Sequence, residues 1–222
     1  MSLPYPESLC HRCAAPPKYV RTGTSVFLRC PIRPDKYPPQ PVLRCPVYEP
    51  PVIETARLFL REMTLDDLDF MAAMLGDADV MRYFPHVEDR DGARRSIEKN
   101  RARYEHDGHG FWLAVDKATA EPVGRVGLLR QQPFGDGVDH MEVAYMIHAP
   151  YQRRGYAFEA AAAVRDWAFA RDYDHVISLI RPENTPSEAV ARKLGLVPTQ
   201  HVEFFGLAHR VWRLDSPSQL NR

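Results

Sequence analysis

Residues 141–163 leave this chain the least freedom. Met141–His148 reads as an apolar strand that Pro150 stops. The turn Tyr151-Gln152-Arg153-Arg154-Gly155-Tyr156-Ala157 then opens a long helix over Gly155–Arg171. In that helix Ala157, Ala160, Ala161, Val164 and Ala168 fall at helical spacing and make one apolar stripe. A strand passing through a tight corner into such a helix implies an α/β layer packing. The corner also carries chemistry. The first turn of a helix leaves backbone N–H groups without intrahelical partners, and its dipole makes that end positive. Gly155 and Ala157 let an anion approach the backbone, while Arg153 and Arg154 add positive charge. A diphosphate suits this seat. No Gly-Lys-Ser/Thr follows and the three-glycine dinucleotide pattern is absent, which excludes both of those phosphate motifs.

The rest of the chain from residue 52 is similarly regular. Ile53–Arg61 reads as a strand, and Thr64 with Asp67 signals a helix start. A basic helix is expected over Asp91–Tyr104, then strands at Phe111–Asp116 and Val123–Leu129 ahead of Met141–His148. Val176–Ile180 reads as a strand, Pro186–Leu194 as a short helix, and Val202–Phe205 with His209–Leu214 as a closing hairpin. The order predicts a mixed, mostly antiparallel α/β sheet with helices on both faces.

Composition divides the chain. Twelve of the 20 prolines lie in residues 1–51, with seven Lys/Arg against three Asp/Glu. Such proline density cannot continue a helix or a central strand. The expected organisation is a small irregular module at 1–48, a stiff linker at 49–51, a main domain at 52–216 and a tail at 217–222. The formal net charge is zero, which does not indicate a nucleic-acid binder. No apolar run is long enough for a membrane span, and the start lacks a signal-peptide pattern, so a cytoplasmic protein is expected.

All four cysteines lie in the first module. Leu28-Arg29-Cys30-Pro31 recurs as Leu43-Arg44-Cys45-Pro46, which suggests two similar corners, each presenting a thiol. Residues 18–21 and 25–30 read as a hairpin around Gly23. Cys10-x-x-Cys13 has zinc-ligand spacing, and Cys30 with Cys45 would complete a four-thiolate tetrahedral site. Buried thiols and disulfides stay open as alternatives to this one structural zinc.

Four stretches together carry a family resemblance. They are Glu142-Val143-Ala144-Tyr145-Met146-Ile147, Gln152-Arg153-Arg154-Gly155-Tyr156-Ala157-Phe158-Glu159-Ala160, Asn184-Thr185-Pro186-Ser187 and Lys193-Leu194-Gly195-Leu196. With the opening Glu54-Thr55-Ala56-Arg57-Leu58-Phe59-Leu60-Arg61, the chain resembles the GNAT acetyltransferase superfamily over about residues 52–214. Within it, the chain is most similar to the branch that acetylates the N-termini of ribosomal proteins. Gln152, Gly155 and Ala157 satisfy the family's Gln/Arg-x-x-Gly-x-Gly/Ala signature.

The resemblance implies an acetyl-CoA-dependent N-acetyltransferase whose acceptor is a protein N-terminus or a small amine, acting as a monomer or homodimer. It implies that the backbone of Gln152, Arg153, Arg154, Gly155, Tyr156 and Ala157 holds the CoA diphosphate. The backbone of Met146, Ile147 and His148, with Asn184, would hold the pantetheine arm, and an N–H near Met146 would face the acyl oxygen. Glu142 is the candidate base and Ser187 the candidate group near the leaving sulfur, since Ala191 stands where many relatives carry a tyrosine. The residues leave other roles open: a structural carboxylate for Glu142, a helix-capping hydroxyl for Ser187, and a core plug or acceptor wall for Tyr83-Phe84-Pro85. An acyl-CoA-binding regulator whose cysteine module makes the functional contact is the alternative from another class.

Overall fold

Residues 53–61 have the composition of one strand, but Thr55 folds them back on themselves. Its backbone N–H donates to the Leu58 carbonyl at 2.8 Å. Its hydroxyl accepts the Leu58 N–H at 2.9 Å. β3 (Ile53–Glu54) and β4 (Leu58–Arg61) therefore pair as a tight hairpin, with Ile53 opposite Leu60. The expected single strand is corrected accordingly, because a threonine side chain offers the backbone a local alternative to extension.

The structure is a computed structural model and describes Ser8, Cys10, Cys13 and residues 18–22, 25–30 and 51–219. Near its start, β1 (Lys18–Thr22) and β2 (Ser25–Arg29) form the expected hairpin as a separate two-stranded sheet. Gly23 and Thr24, at its turn, lie outside the described residues. Cys10, Cys13 and Cys30 are buried, and none is in a disulfide. Among the described residues no three His, Cys, Asp or Glu side chains form a group that could hold a metal. The expected zinc site on Cys10, Cys13, Cys30 and Cys45 thus finds no support there. Cys45 and its Leu-Arg-Cys-Pro repeat lie outside the described residues.

The main sheet has eight strands in the order β3-β4-β5-β6-β7-β8-β10-β9. Its members beyond the opening hairpin are β5 (Phe111–Asp116), β6 (Pro122–Gln131), β7 (His140–Ile147), β8 (His175–Ile180), β9 (Val197–Phe204) and β10 (Leu207–Asp215). Every neighbouring pair is antiparallel except β7 with β8. Helices cover both faces, as expected. α1 (Leu68–Leu75) and α2 (Arg90–Asp107) pack Met71, Met74 and Ile97 against Leu113 and Met146. α3 (Tyr156–Phe169) and α4 (Thr185–Lys193) lie on the opposite face, where Ala160, Ala161, Val164 and Ala168 bury against Val126 and Val143. Methyl-sized side chains let α3 sit close to β6 and β7 at interior packing density.

The step from β4 into α1 holds a buried ion pair. Arg61 donates to both carboxylate oxygens of Asp67, at 2.9 and 2.7 Å, and the two side chains are 4% and 7% exposed. Asp67 also accepts the Thr64 N–H at 2.8 Å, completing the capping box expected from the sequence. Among the described residues no helix is long and apolar enough to cross a membrane.

Candidate active site

β7 and β8 register at one position, Glu142 opposite Ile177. Above it, side chains occupy the backbone groups that a parallel ladder would use. Ser178 Oγ donates to the Val143 carbonyl at 2.7 Å, and the Leu179 N–H donates to Glu142 Oε1 at 3.3 Å. The strands part beyond this point. His148 donates its N–H to Val123 at 2.9 Å, which makes those two a hydrogen-bonded pair of the β6–β7 ladder. Hydrogen-bonded pairs alternate along an antiparallel ladder, so the peptide groups of Met146 also face β6, and those of Tyr145 and Ile147 face the gap. This corrects the expectation for Met146 and His148, whose N–H groups are committed to the sheet. The available donors are one residue away on either side of Met146.

The corner follows directly. Gly155 stands at the N-cap of α3 with φ +84°, and no side chain caps this helix end. Arg153 also has a positive φ, +61°. Gln152 Nε2 donates to the Ile147 carbonyl at 2.9 Å and ties the turn to the end of β7. From the opening hairpin, Arg57 braces the other side. Its Nε bonds Glu159 at 2.6 Å, its Nη1 donates to the Arg154 carbonyl at 2.9 Å, and its guanidinium lies 4.7 Å from the Tyr156 ring centre. Thr55 and the Arg57 N–H bond the same Glu159 carboxylate, at 2.6 and 2.8 Å. Tyr156 in turn donates its hydroxyl to Asp116.

A cleft of about 680 Å³ opens where the strands part. Met146, Ile147, Gln152, Arg153, Gly155, Tyr156 and Ala157 line it from the β7–α3 side, and Asn184 and Ser187 line it from α4. Tyr83 and Arg82 reach it from the loop between α1 and α2. Three expected residues are elsewhere. Arg154 lies 5.5 Å over the Tyr151 ring, and His148 packs edge-on against Phe70 at 5.6 Å. Glu142 lies lower on β7, buried and fixed by Gln131 Nε2 at 2.8 Å as well as by Leu179. Burial raises its carboxyl above the ordinary range, opposed by those two hydrogen bonds and by Arg103.

Tyr145 enters the site although its role was not evident from the motif alone. Ser187 Oγ donates to the Tyr145 hydroxyl at 3.1 Å, and that hydroxyl donates to the Ser187 carbonyl at 2.9 Å. Burial raises the Tyr145 phenol, so it stays protonated. Asn184 Oδ1 accepts the Ser187 N–H at 3.2 Å and caps α4. The cap is therefore Asn184, and the Ser187 hydroxyl is engaged by Tyr145 instead, on a residue that lines the cleft. Arg57 had a signal in the sequence, the Thr55-Ala56-Arg57-Leu58 opening, but its target 102 residues away did not.

Parted strands, an uncapped helix end and bracing from a distant hairpin frame a single cleft at one end of the sheet. A family model described as "Acetyltransferase (GNAT) domain" matches residues 57–197. Protein YkkB of Bacillus subtilis (strain 168) is 34% identical over 144 residues, 64% of this chain and 83% of that one. An acetyltransferase from Agrobacterium tumefaciens superposes with a TM-score of 0.63 at 23% identity, over 78% of this chain and 99% of that one. A ribosomal-protein-S5-alanine acetyltransferase from Vibrio fischeri gives a TM-score of 0.56 at 17% identity, over 74% and 96%. The chain belongs to the GNAT acetyltransferase family. It is an acyltransferase of the acetyl-CoA-using kind.

Proposed function

We propose that the protein transfers the acetyl group of acetyl-CoA to a primary amine, on a peptide N-terminus or a small molecule, by direct attack in a ternary complex. The observation that carries this is the shared cleft: one opening joins the parted β7–β8 pair, the uncapped start of α3 and the Tyr145–Ser187 pair. The domain division at 52–216 is part of the same proposal. So is a cytoplasmic setting, with which the undisulfided thiols of Cys10, Cys13 and Cys30 agree.

Bound acetyl-CoA supplies an activated thioester. The N–H groups at the start of α3, with Arg153, would hold its diphosphate. The Tyr145 and Ile147 peptide groups would pair with the pantetheine arm, and one of their N–H groups would meet the negative charge that develops on the acyl oxygen. Asn184 would orient the arm through its amide nitrogen, its oxygen being engaged by Ser187. Ser187 would swing its single hydroxyl proton from the Tyr145 oxygen to the departing sulfur, while Tyr145 stays anchored on the Ser187 carbonyl. Glu142 would take the ammonium proton through water, since its carboxylate is set back from the cleft wall.

Thiol release from acetyl-CoA across peptide N-termini, polyamines and aminoglycosides tests the activity, and no release with any amine rejects it. Ser187→Ala is expected to lower kcat by about tenfold, with KM for acetyl-CoA unchanged, in keeping with the loss of one hydrogen bond to a charged atom. An unaltered kcat removes Ser187 from the chemistry.

Glu142 gives a pH signature. A base works deprotonated, and burial raises the pH at which Glu142 loses its proton. Wild-type kcat/KM should therefore fall as pH drops through that raised value. Glu142→Gln should have low activity with no acid limb. An acid limb that persists in the variant assigns the base elsewhere.

A further inference from the structure

On the face of the sheet turned toward α1 and α2, one cation is stranded. Arg125 stands on β6 directly opposite Met146, so the two side chains share this face. Arg125 is 9% exposed, and its Nε is buried without a partner. Its guanidinium lies 4.4 Å from the centre of the Phe111 ring, and Nη1 donates to Ser96 Oγ at 2.8 Å. Arg103 stands on α2 two turns beyond Ser96, on the same side of the helix, and is half-buried. Among the described residues neither arginine forms an ion pair with a carboxylate.

Both cations are disfavoured where they stand. Burial first, and then the charge of Arg103, lower the pKa of Arg125 to about 10. Burial lowers Arg103 too, against the attraction of Asp107 and Glu142. Desolvated like charges are costly unless an anion joins them. Room at this place comes from β7 alone: half-buried Ala144 has only a methyl group, whereas the space over Gly127 opposite it is filled by the backbone of Gly110 and Phe111. Ala144 lies between Glu142 and Met146 on the same face of β7. The half-buried Ala144 methyl therefore lies beside the candidate base, with Arg125 diagonal to it across the ladder and Arg103 within electrostatic reach of Glu142.

We propose that Arg125 and Arg103 hold a carboxylate of the acceptor, so that the preferred amine is one carried close to a carboxylate. This rests on the acetyl-transfer function proposed above, with Glu142 on the acceptor side. A planar guanidinium with unspent donors matches a carboxylate in two-point geometry, and charge-assisted bonds of this kind are the strong ones. The carboxylate could be the α-carboxylate of a free amino acid or the side chain of an acidic second residue in a peptide.

The test is calorimetric titration of CoA-saturated protein with matched amines, in parallel with thiol release from acetyl-CoA. One arm sets alanine against alaninamide; the other sets a seryl-aspartate dipeptide amide against its seryl-asparagine counterpart. In at least one arm the carboxylate-bearing member should bind about tenfold tighter or better, a difference of roughly 1.4 kcal/mol. Arg125→Met and Arg103→Gln should each erase that difference and leave acetyl-CoA affinity unchanged. Methionine in place of an unpaired buried cation should also hold or raise the melting temperature. Equal binding within both pairs, or a preference that survives in both variants, overturns the proposal. A carboxylate preference in binding without thiol release sustains it and rejects acetyl transfer instead.

Discussion

Gly155→Val should weaken acetyl-CoA binding about a hundredfold, roughly 2.7 kcal/mol, while the protein stays folded. Two costs combine. Gly155 has φ +84°, a region that costs an L-residue roughly 1–2 kcal/mol and a β-branched one more. A Cβ there would also stand 3.3 Å from Arg57 Nη2, and valine adds two methyl groups where an anion must reach the helix N–H groups. Calorimetry with acetyl-CoA reads the effect. Gly206→Val is the control. Gly206 has φ +71° with no atom within 4 Å of a Cβ, so it shares the backbone strain but lies in the β9–β10 turn. Its affinity should match the wild type. A Gly155 variant that binds within threefold of wild type would mean the diphosphate seat is elsewhere.

The second large effect concerns stability. Asp67→Ala should cost about 3–5 kcal/mol, because it leaves the buried Arg61 guanidinium without its partner. The Arg61 Nε already lacks a partner, so the remaining charge would keep only the Glu62 carbonyl, 2.9 Å from Nη1. The same change removes the acceptor for the Thr64 N–H at the entry to α1. Against a total of about 5–15 kcal/mol for a typical domain, such a loss should move the denaturant midpoint far to the left. Asp69→Ala, which breaks an exposed pair with Arg90, should leave the midpoint unchanged. Equal midpoints for the two variants would show that the buried pair contributes nothing.

Much of this architecture could be read from periodicity. The alanine stripe of α3, the order of strands and helices and the Thr64–Asp67 helix start are local signals, each contained within a dozen residues. The turn between β7 and α3 was local too, with Gly155 and Ala157 close together in the chain. What could not be read depended on tertiary placement. Thr55 turned an apparent strand into a hairpin through a side-chain bond of a kind that strand periodicity does not record. Arg154 had the charge expected of an anion ligand but stacks on Tyr151, while Arg57, distant in sequence, holds the corner in place. The strand position that supplies donors moved off Met146 because ladder alternation, fixed by the β6 register, decides which peptide faces the gap. Arg125 looked like any strand arginine until its neighbours on Phe111 and Ser96 were known.

The Arg57–Glu159 contact joins sites 102 residues apart. With the diphosphate seated as proposed, occupancy of the seat and docking of the first hairpin are linked equilibria: whatever tightens one must tighten the other by an equal free energy. During synthesis, the corner emerges well after Arg57, so the ribosome releases both halves of the brace before any cofactor can be gripped. Saturation with cofactor should then protect amide protons of β3 and β4, an edge of the sheet otherwise among the first to open.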